Sequence, residues 1–173
     1  MESNEDKILM LPDPERLGGW NILQQLLEKK GNPRYGIRGD LNLRYASIES
    51  LGNLERVEGS LNLSYTPIES LGNLKYVGDD LDLYESYIQS LGNLERVGGF
   101  LDLRYSPIES LGNLEYVEGS LKLYRTPIKS LGNLEYVGGN LGLRLTPLSE
   151  ITTEEEIRSK INVVGDIYLK WNI

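Results

Sequence analysis

The pentapeptide SLGNL occurs five times, at 50–54, 70–74, 90–94, 110–114 and 130–134, always twenty residues apart. Rows of twenty begin at Leu41, Leu61, Leu81, Leu101, Leu121 and Leu141 and align without gaps. Their common pattern is LxLxx(T/S)PIxSLGNLxxVxGx. Fixed self-similarity of this length specifies a solenoid, in which each row is one coil and neighbouring coils bury one another.

The apolar positions give the coil its cross-section. Row positions 1 and 3 are Leu in every row, and that alternation marks a short strand with one buried face. Ile, Leu, Leu and Val follow at positions 8, 11, 14 and 17. Inward turns every third residue describe a chain winding around a core, and the Gly-Asn of each SLGNL interrupts any helix. Gly at position 19 (Gly59, Gly99, Gly119, Gly139) predicts a tight bend or a positive φ, with Asp79 as the exception. Position 6 is Ala46, then Thr66, Ser86, Ser106, Thr126 and Thr146. Its hydroxyl is expected to bond the next coil, with ordinary Thr-Pro turn chemistry as the alternative.

Both ends depart from the pattern. Residues 1–31 read as a tail and a capping helix, 32–173 as one solenoid domain with its C-terminal cap. The segment WNILQQLLEKKGN predicts a helix whose apolar face is Trp20, Leu23 and Leu27, with Ile22 and Leu26 at its margin. Gly31 and Asn32 stop it. At the other end, VVGDIYL repeats the VxGxLxL spacing with Val163, Gly165, Ile167 and Leu169. The segment TTEEEIRSK replaces SLGNLERV there and predicts a second helix, capped by Thr152 or Thr153. The expected fold is a β-rich solenoid, a right-handed coil with one parallel sheet of about seven short strands and a capping helix near each end.

Composition narrows the chemistry. The chain has no His and no Cys, which removes Ser-His and Cys-His pairs, disulfides and most zinc sites. No cofactor or metal is expected. A formal charge of −8 disfavours direct binding to nucleic acid or anionic membrane. The opening MESNEDKILM is acidic and lacks a signal peptide's apolar run, so a cytoplasmic protein, monomeric in isolation, is the expectation.

The row pattern LxLxxTxIxSLxNLxxVxG resembles a leucine-rich repeat at the short end of that family's range. Thr or Ser stands where the family's usual Asn ends the strand segment. In detail it is similar to the repeats of receptor L domains, over roughly residues 35–171. The resemblance implies recognition of a macromolecular partner, most often protein, through the strand-bearing concave face.

With positions 1 and 3 inward, positions 20, 2 and 4 face outward and 5 lies at the edge. Position 4 holds Tyr84, Arg104, Tyr124 and Arg144; position 5 holds Tyr105 and Arg125; position 2 holds Asp82, Asp102 and Lys122. Phe100 stands alone in a column of Asp, Ser and Asn at position 20. Tyr168, Lys170 and Trp171 extend the face. Aromatics and Arg carry much of the energy at protein interfaces, so these residues are the candidate partner-binding set. Tyr84, Phe100, Arg104 and Tyr124 are its centre, a patch about 15 Å long on four successive rungs. The acidic excess lies elsewhere, with Glu55, Glu95, Glu115 and Glu135 at position 15 and Glu58 and Glu118 at position 18. The sequence therefore reads as a non-enzymatic protein-binding module. The alternative is an acidic inhibitor, for example phage-encoded, that blocks a host or nucleic-acid-binding protein. Paired-acid chemistry by Asp80, Asp82 and Asp102 is the remaining, weakest reading.

Overall fold

A computed structural model describes residues 8–170; Trp171 therefore lies outside the described residues. The rows form a parallel β-solenoid, and two sheets run its length rather than one. The seven-stranded sheet contains the predicted strands, from Leu41–Asn42 through Leu141–Gly142 to Ile167–Tyr168. Its register is gapless, with Leu41, Leu61, Leu81, Leu101, Leu121, Leu141 and Ile167 paired in succession. The eight-stranded sheet is built from the xxV segments. It runs from Leu9–Leu11 through Tyr35–Ile37 and Leu54–Val57 to Asn162–Val163. Its middle strands are only two residues long, for example Tyr76–Val77 and Arg96–Val97.

Inside, the six apolar positions of each row stack on themselves. Leu61, Leu63, Ile68, Leu71, Leu74 and Val77 are buried to 1% exposure or less, and their counterparts one row later to 2% or less. Each contributes roughly 2 kcal/mol by leaving water. One coil cannot bury this set alone, so every row depends on its neighbours.

The turns explain the repeated pentapeptide. In each SLGNL the Ser hydroxyl accepts from the Gly N–H two residues on, as Ser70 does from Gly72 at 3.1 Å. The first Leu carbonyl accepts from the second Leu N–H, as in Leu74 to Leu71 at 3.2 Å. Between them the Gly is left-handed, φ near 58° at Gly72, Gly92 and Gly132. That is a turn with glycine at its first central position. A side chain on Gly92 would collide with the Gly72 carbonyl, so Gly is required twice over. The position-19 glycines have a different role from the positive φ expected. Gly59, Gly99, Gly119 and Gly139 lack a positive φ. They are small because the previous coil passes close: a Cβ on Gly119 would lie 2.7 Å from the Gly99 carbonyl carbon.

A second turn, at positions 3 to 6, closes the seven-stranded side. The N–H of Ser86 donates to Leu83 O at 3.1 Å, and its hydroxyl donates to the same oxygen at 2.8 Å. The hydroxyls of Thr66, Ser106, Thr126 and Thr146 donate in the same way within their own coils. The hydroxyl column is therefore turn chemistry, and the expected bond to the next coil does not form.

Helices close the ends. Helix α1, Trp20–Lys29, buries Leu23 and Leu27 against the first coil, while Ile22 and Leu26 stay exposed. Gly31 and Asn32 then adopt φ of 81° and 52°. The C-terminal insertion forms two short helices, α2 (Pro147–Ile151) and α3 (Glu154–Arg158). Thr146 caps α2; Thr153 caps α3 in a reciprocal box with Glu156. No described helix is long and apolar enough to cross a membrane.

Candidate functional site

The outward columns of the seven-stranded sheet divide into two that serve the backbone and two that project. Position 20 is a backbone column. Asp40 accepts from Ser60 N at 2.8 Å, Asp80 from Phe100 N at 2.9 Å, Ser120 from Asn140 N at 3.1 Å and Asn140 from Asp166 N at 2.9 Å. Ser60 makes no such bond, and Phe100 cannot, so the ladder is interrupted at both, the second at the middle of the sheet. Position 2 is the other backbone column. Asn42, Asn62, Asp82 and Asp102 each accept from the N–H two residues on, at 3.0–3.2 Å. The carboxylates of Asp80, Asp82 and Asp102 are thus engaged in holding strand ends.

Lys122 and Gly142 replace the acceptor in the last two rows. At Gly142 the Tyr124 ring lies over the backbone, in the space a Cβ would occupy. Asp102 is buried, with its side chain 5% exposed. Arg104 bonds it through Nε at 2.8 Å and Nη2 at 2.6 Å, and Lys122 Nζ is 3.6 Å away. Asp102 therefore lies beneath the face and orients its two cations, rather than meeting a partner itself.

Positions 4 and 5 project. Position 5 is left-handed in every row: Tyr45, Tyr65, Glu85, Tyr105, Arg125 and Leu145 have φ between 50° and 62°. None of these is Gly or Asn. A left-handed non-glycine residue costs roughly 1–2 kcal/mol, yet the chain spends glycine on the left-handed position of every SLGNL and never on this one. Part of the cost is offset by ring contacts. Tyr45 stacks on Tyr65 at 4.9 Å, Tyr65 meets Tyr84 edge-on at 5.5 Å, and Tyr84 meets Tyr105 at 5.5 Å. Cations lie over the rings: Arg44 on Tyr45 and Tyr65, Arg104 on Tyr84, Arg125 on Tyr105, Arg144 on Tyr168 and Lys122 on Phe100, at 4.7–5.6 Å. The result is a continuous aromatic–cation stripe along the sheet. Within it the Glu85 carboxylate pushes the Tyr84 phenol up to about 12, so it stays a neutral donor.

Of the predicted centre, Tyr84, Arg104 and Tyr124 project from three rungs, and Phe100 precedes the same strand as Arg104. The patch therefore spans three rungs and about 10 Å, not four rungs and 15 Å.

The eight-stranded sheet presents a further column that sequence reading did not place. Arg56 lies over Tyr76 at 4.4 Å and Arg96 over Tyr116 at 5.5 Å. Its flank includes Glu55, which is buried, not outward. Arg34 grips both its oxygens, and the pairing holds its carboxyl below the usual range. The alternation of Arg and Tyr in every second row was the available signal, but it needed the second sheet to be meaningful. Away from both sheets, a cleft of about 290 Å³ lies between the last SLGNL and helices α2 and α3, lined by Leu131, Leu134, Leu148 and Ile157.

No protein-family profile, curated protein or solved structure matches the chain.

Proposed function

We propose that this solenoid is a non-enzymatic, protein-binding module of leucine-rich-repeat type that docks its partner on the seven-stranded sheet. One observation carries the reading: position 5 holds bulky side chains in a left-handed conformation in all six rows. Glycine there would relieve the left-handed strain against roughly 0.5–1 kcal/mol of chain entropy, and Glu85 and Leu145 hold the position with no ring of their own. Large, pre-oriented aromatic and Arg side chains are what a protein interface uses. Phe100 adds to this, because it gives up a backbone hydrogen bond that its neighbours make.

The acidic-inhibitor reading has less support. On the eight-stranded side several carboxylates are paired with cations: Arg96 bonds Glu118, and Arg34 and Lys75 flank Glu55. The uninterrupted negative charge is limited to Glu95, Glu115 and Glu135 on three successive rungs, a short run for imitating a phosphate backbone.

The test is capture of partners from the source cell by wild type and by Phe100→Asp, read by mass spectrometry. Aspartate at position 20 accepts from the next rung, as Asp80 does, so stability should be kept or slightly raised. Binding should fall by at least about 2 kcal/mol, roughly thirtyfold. Undiminished capture by Phe100→Asp would remove this face from the account.

A further inference from the structure

The proposal that follows rests on reading the seven-stranded sheet as an interface, and it names the partner. We infer that the sheet binds a second copy of this chain face to face, about a two-fold axis lying along the Leu101 strand. Charge is the first ground. The Leu81 rung carries three carboxylates, Asp80, Asp82 and Glu85, and no cation. The Leu121 rung carries Lys122 and Arg125 and no carboxylate. Both rungs adjoin the Leu101 rung, on opposite sides.

The columns match as well as the rungs. A two-fold axis parallel to the strands reverses rung order and keeps each column in place. It therefore sets Asp82 against Lys122 of the second copy and Glu85 against Arg125 of the second copy. Tyr84 meets Tyr124 in the same way, and Phe100, Tyr105 and the paired Asp102 and Arg104 meet their own equivalents at the axis. The other face-to-face dyad, along the solenoid, would set the three carboxylates of the Leu81 rung against themselves. Of the two dyads only the one parallel to the strands opposes the unlike charges of the Leu81 and Leu121 rungs; at the outermost rungs it sets Asp40 against Asp166 and Arg44 against Lys170, so the attraction is confined to the centre of the sheet. Isologous pairs of this kind are the commonest oligomers.

Within one chain these groups cannot satisfy each other, because rungs two apart are separated by about 10 Å. Glu85 and Arg125 are exposed and have no ion-pair partner among the described residues. At the pivot stands Phe100, the one large apolar side chain in its column, half-exposed and without the hydrogen bond its neighbours make. Seven strands and four residues per strand give a flat area of roughly 400 Å² per copy. The two copies together then bury roughly 800 Å², below the roughly 1,000 Å² of a stable specific interface, so the dimer is weak and concentration-dependent. This departs from the monomer expected of the sequence.

Sedimentation velocity of the purified chain, from about 1 µM to 1 mM, tests the proposal in the range a small interface populates. Wild type should pass from 19.5 kDa to twice that mass. Glu85→Arg and Arg125→Glu should each weaken the dimer at least tenfold. The double variant should recover to within threefold of wild type, because each reversed charge then faces the other. A wild type that stays monomeric throughout overturns the proposal, as does a double variant no tighter than the singles. If wild type is monomeric but Phe100→Asp still abolishes capture of another protein, the face stands as an interface and only the second copy falls. If neither effect is seen, both readings fall.

Discussion

At the scale of single residues, the two left-handed positions of each row are governed by opposite requirements. Gly92→Ala adds left-handed strain and a collision with the Gly72 carbonyl, and should cost at least about 2 kcal/mol in denaturant unfolding. Glu85→Gly, at the other left-handed position, should cost nothing and should gain up to about 1 kcal/mol. This contrast was not readable from sequence: Tyr, Glu, Arg and Leu give no hint of positive φ, whereas the glycine of SLGNL does. Glu55 is a second hidden case, since an acidic column reads as solvent-facing until its burial is seen. Glu55→Lys should destabilise by about 3 kcal/mol, because it places a third cation beside Arg34 and Lys75. Glu115→Lys, half-exposed in the same column three rungs away, should change stability by less than about 0.5 kcal/mol. The pH dependence follows from the same pair. Pairing with Arg34 lowers the Glu55 carboxyl below its usual 4.5 in the folded state. Its stabilising effect is therefore complete above about pH 4.5 and is lost as pH falls through the lower folded value. Glu55→Gln should flatten that acid limb in melts between pH 6 and pH 2.

At the scale of elements, the strands of the seven-stranded sheet and helices α1 and α3 were legible in the sequence, while α2, inside the row's own Thr-Pro turn, was not. Alternating Leu gives the strands; caps and a 3.6-residue apolar stripe give the two legible helices. The eight-stranded sheet was not legible. Its inward residues are spaced by three, Leu54 to Val57 and Leu74 to Val77, and its strands are too short to alternate twice. The capping elements carry a stability prediction. Removing residues 150–173 deletes α3 and the Asn162–Val163 and Ile167–Tyr168 strands, and uncovers the Leu141 coil. The truncated chain should melt at lower temperature and self-associate through the bared strand edges; light scattering during a thermal ramp reads both. Thr153→Ala removes only the reciprocal cap of α3 and should cost about 1 kcal/mol.

At the scale of the whole molecule, one repeat unit solves the folding problem while four outward columns are left to vary. The backbone columns, positions 20 and 2, vary among residues that can accept a hydrogen bond. They depart from that rule at Phe100, Lys122 and Gly142; the first two fall on the candidate surface, and the third lies under the Tyr124 ring. Sequence alone located these columns, because outward and inward positions follow from the Leu alternation. It could not tell that Asp102 lies beneath Arg104 and Lys122, since burial of one acid depends on its neighbours' rotamers. For the same reason Arg104→Glu is a poor probe: it would leave Asp102 buried beside a like charge and lower stability as well as binding. The central claim is that the Leu81, Leu101 and Leu121 rungs of the seven-stranded sheet form the interface. An NMR dilution series on the isotopically labelled full chain tests it most directly. Amide shifts at 80–85, 100–105 and 120–125 should move together with concentration, while Arg56, Tyr76, Arg96 and Tyr116 on the other sheet stay fixed. Shifts that cluster on that other sheet, or no shifts at all, would contradict the account.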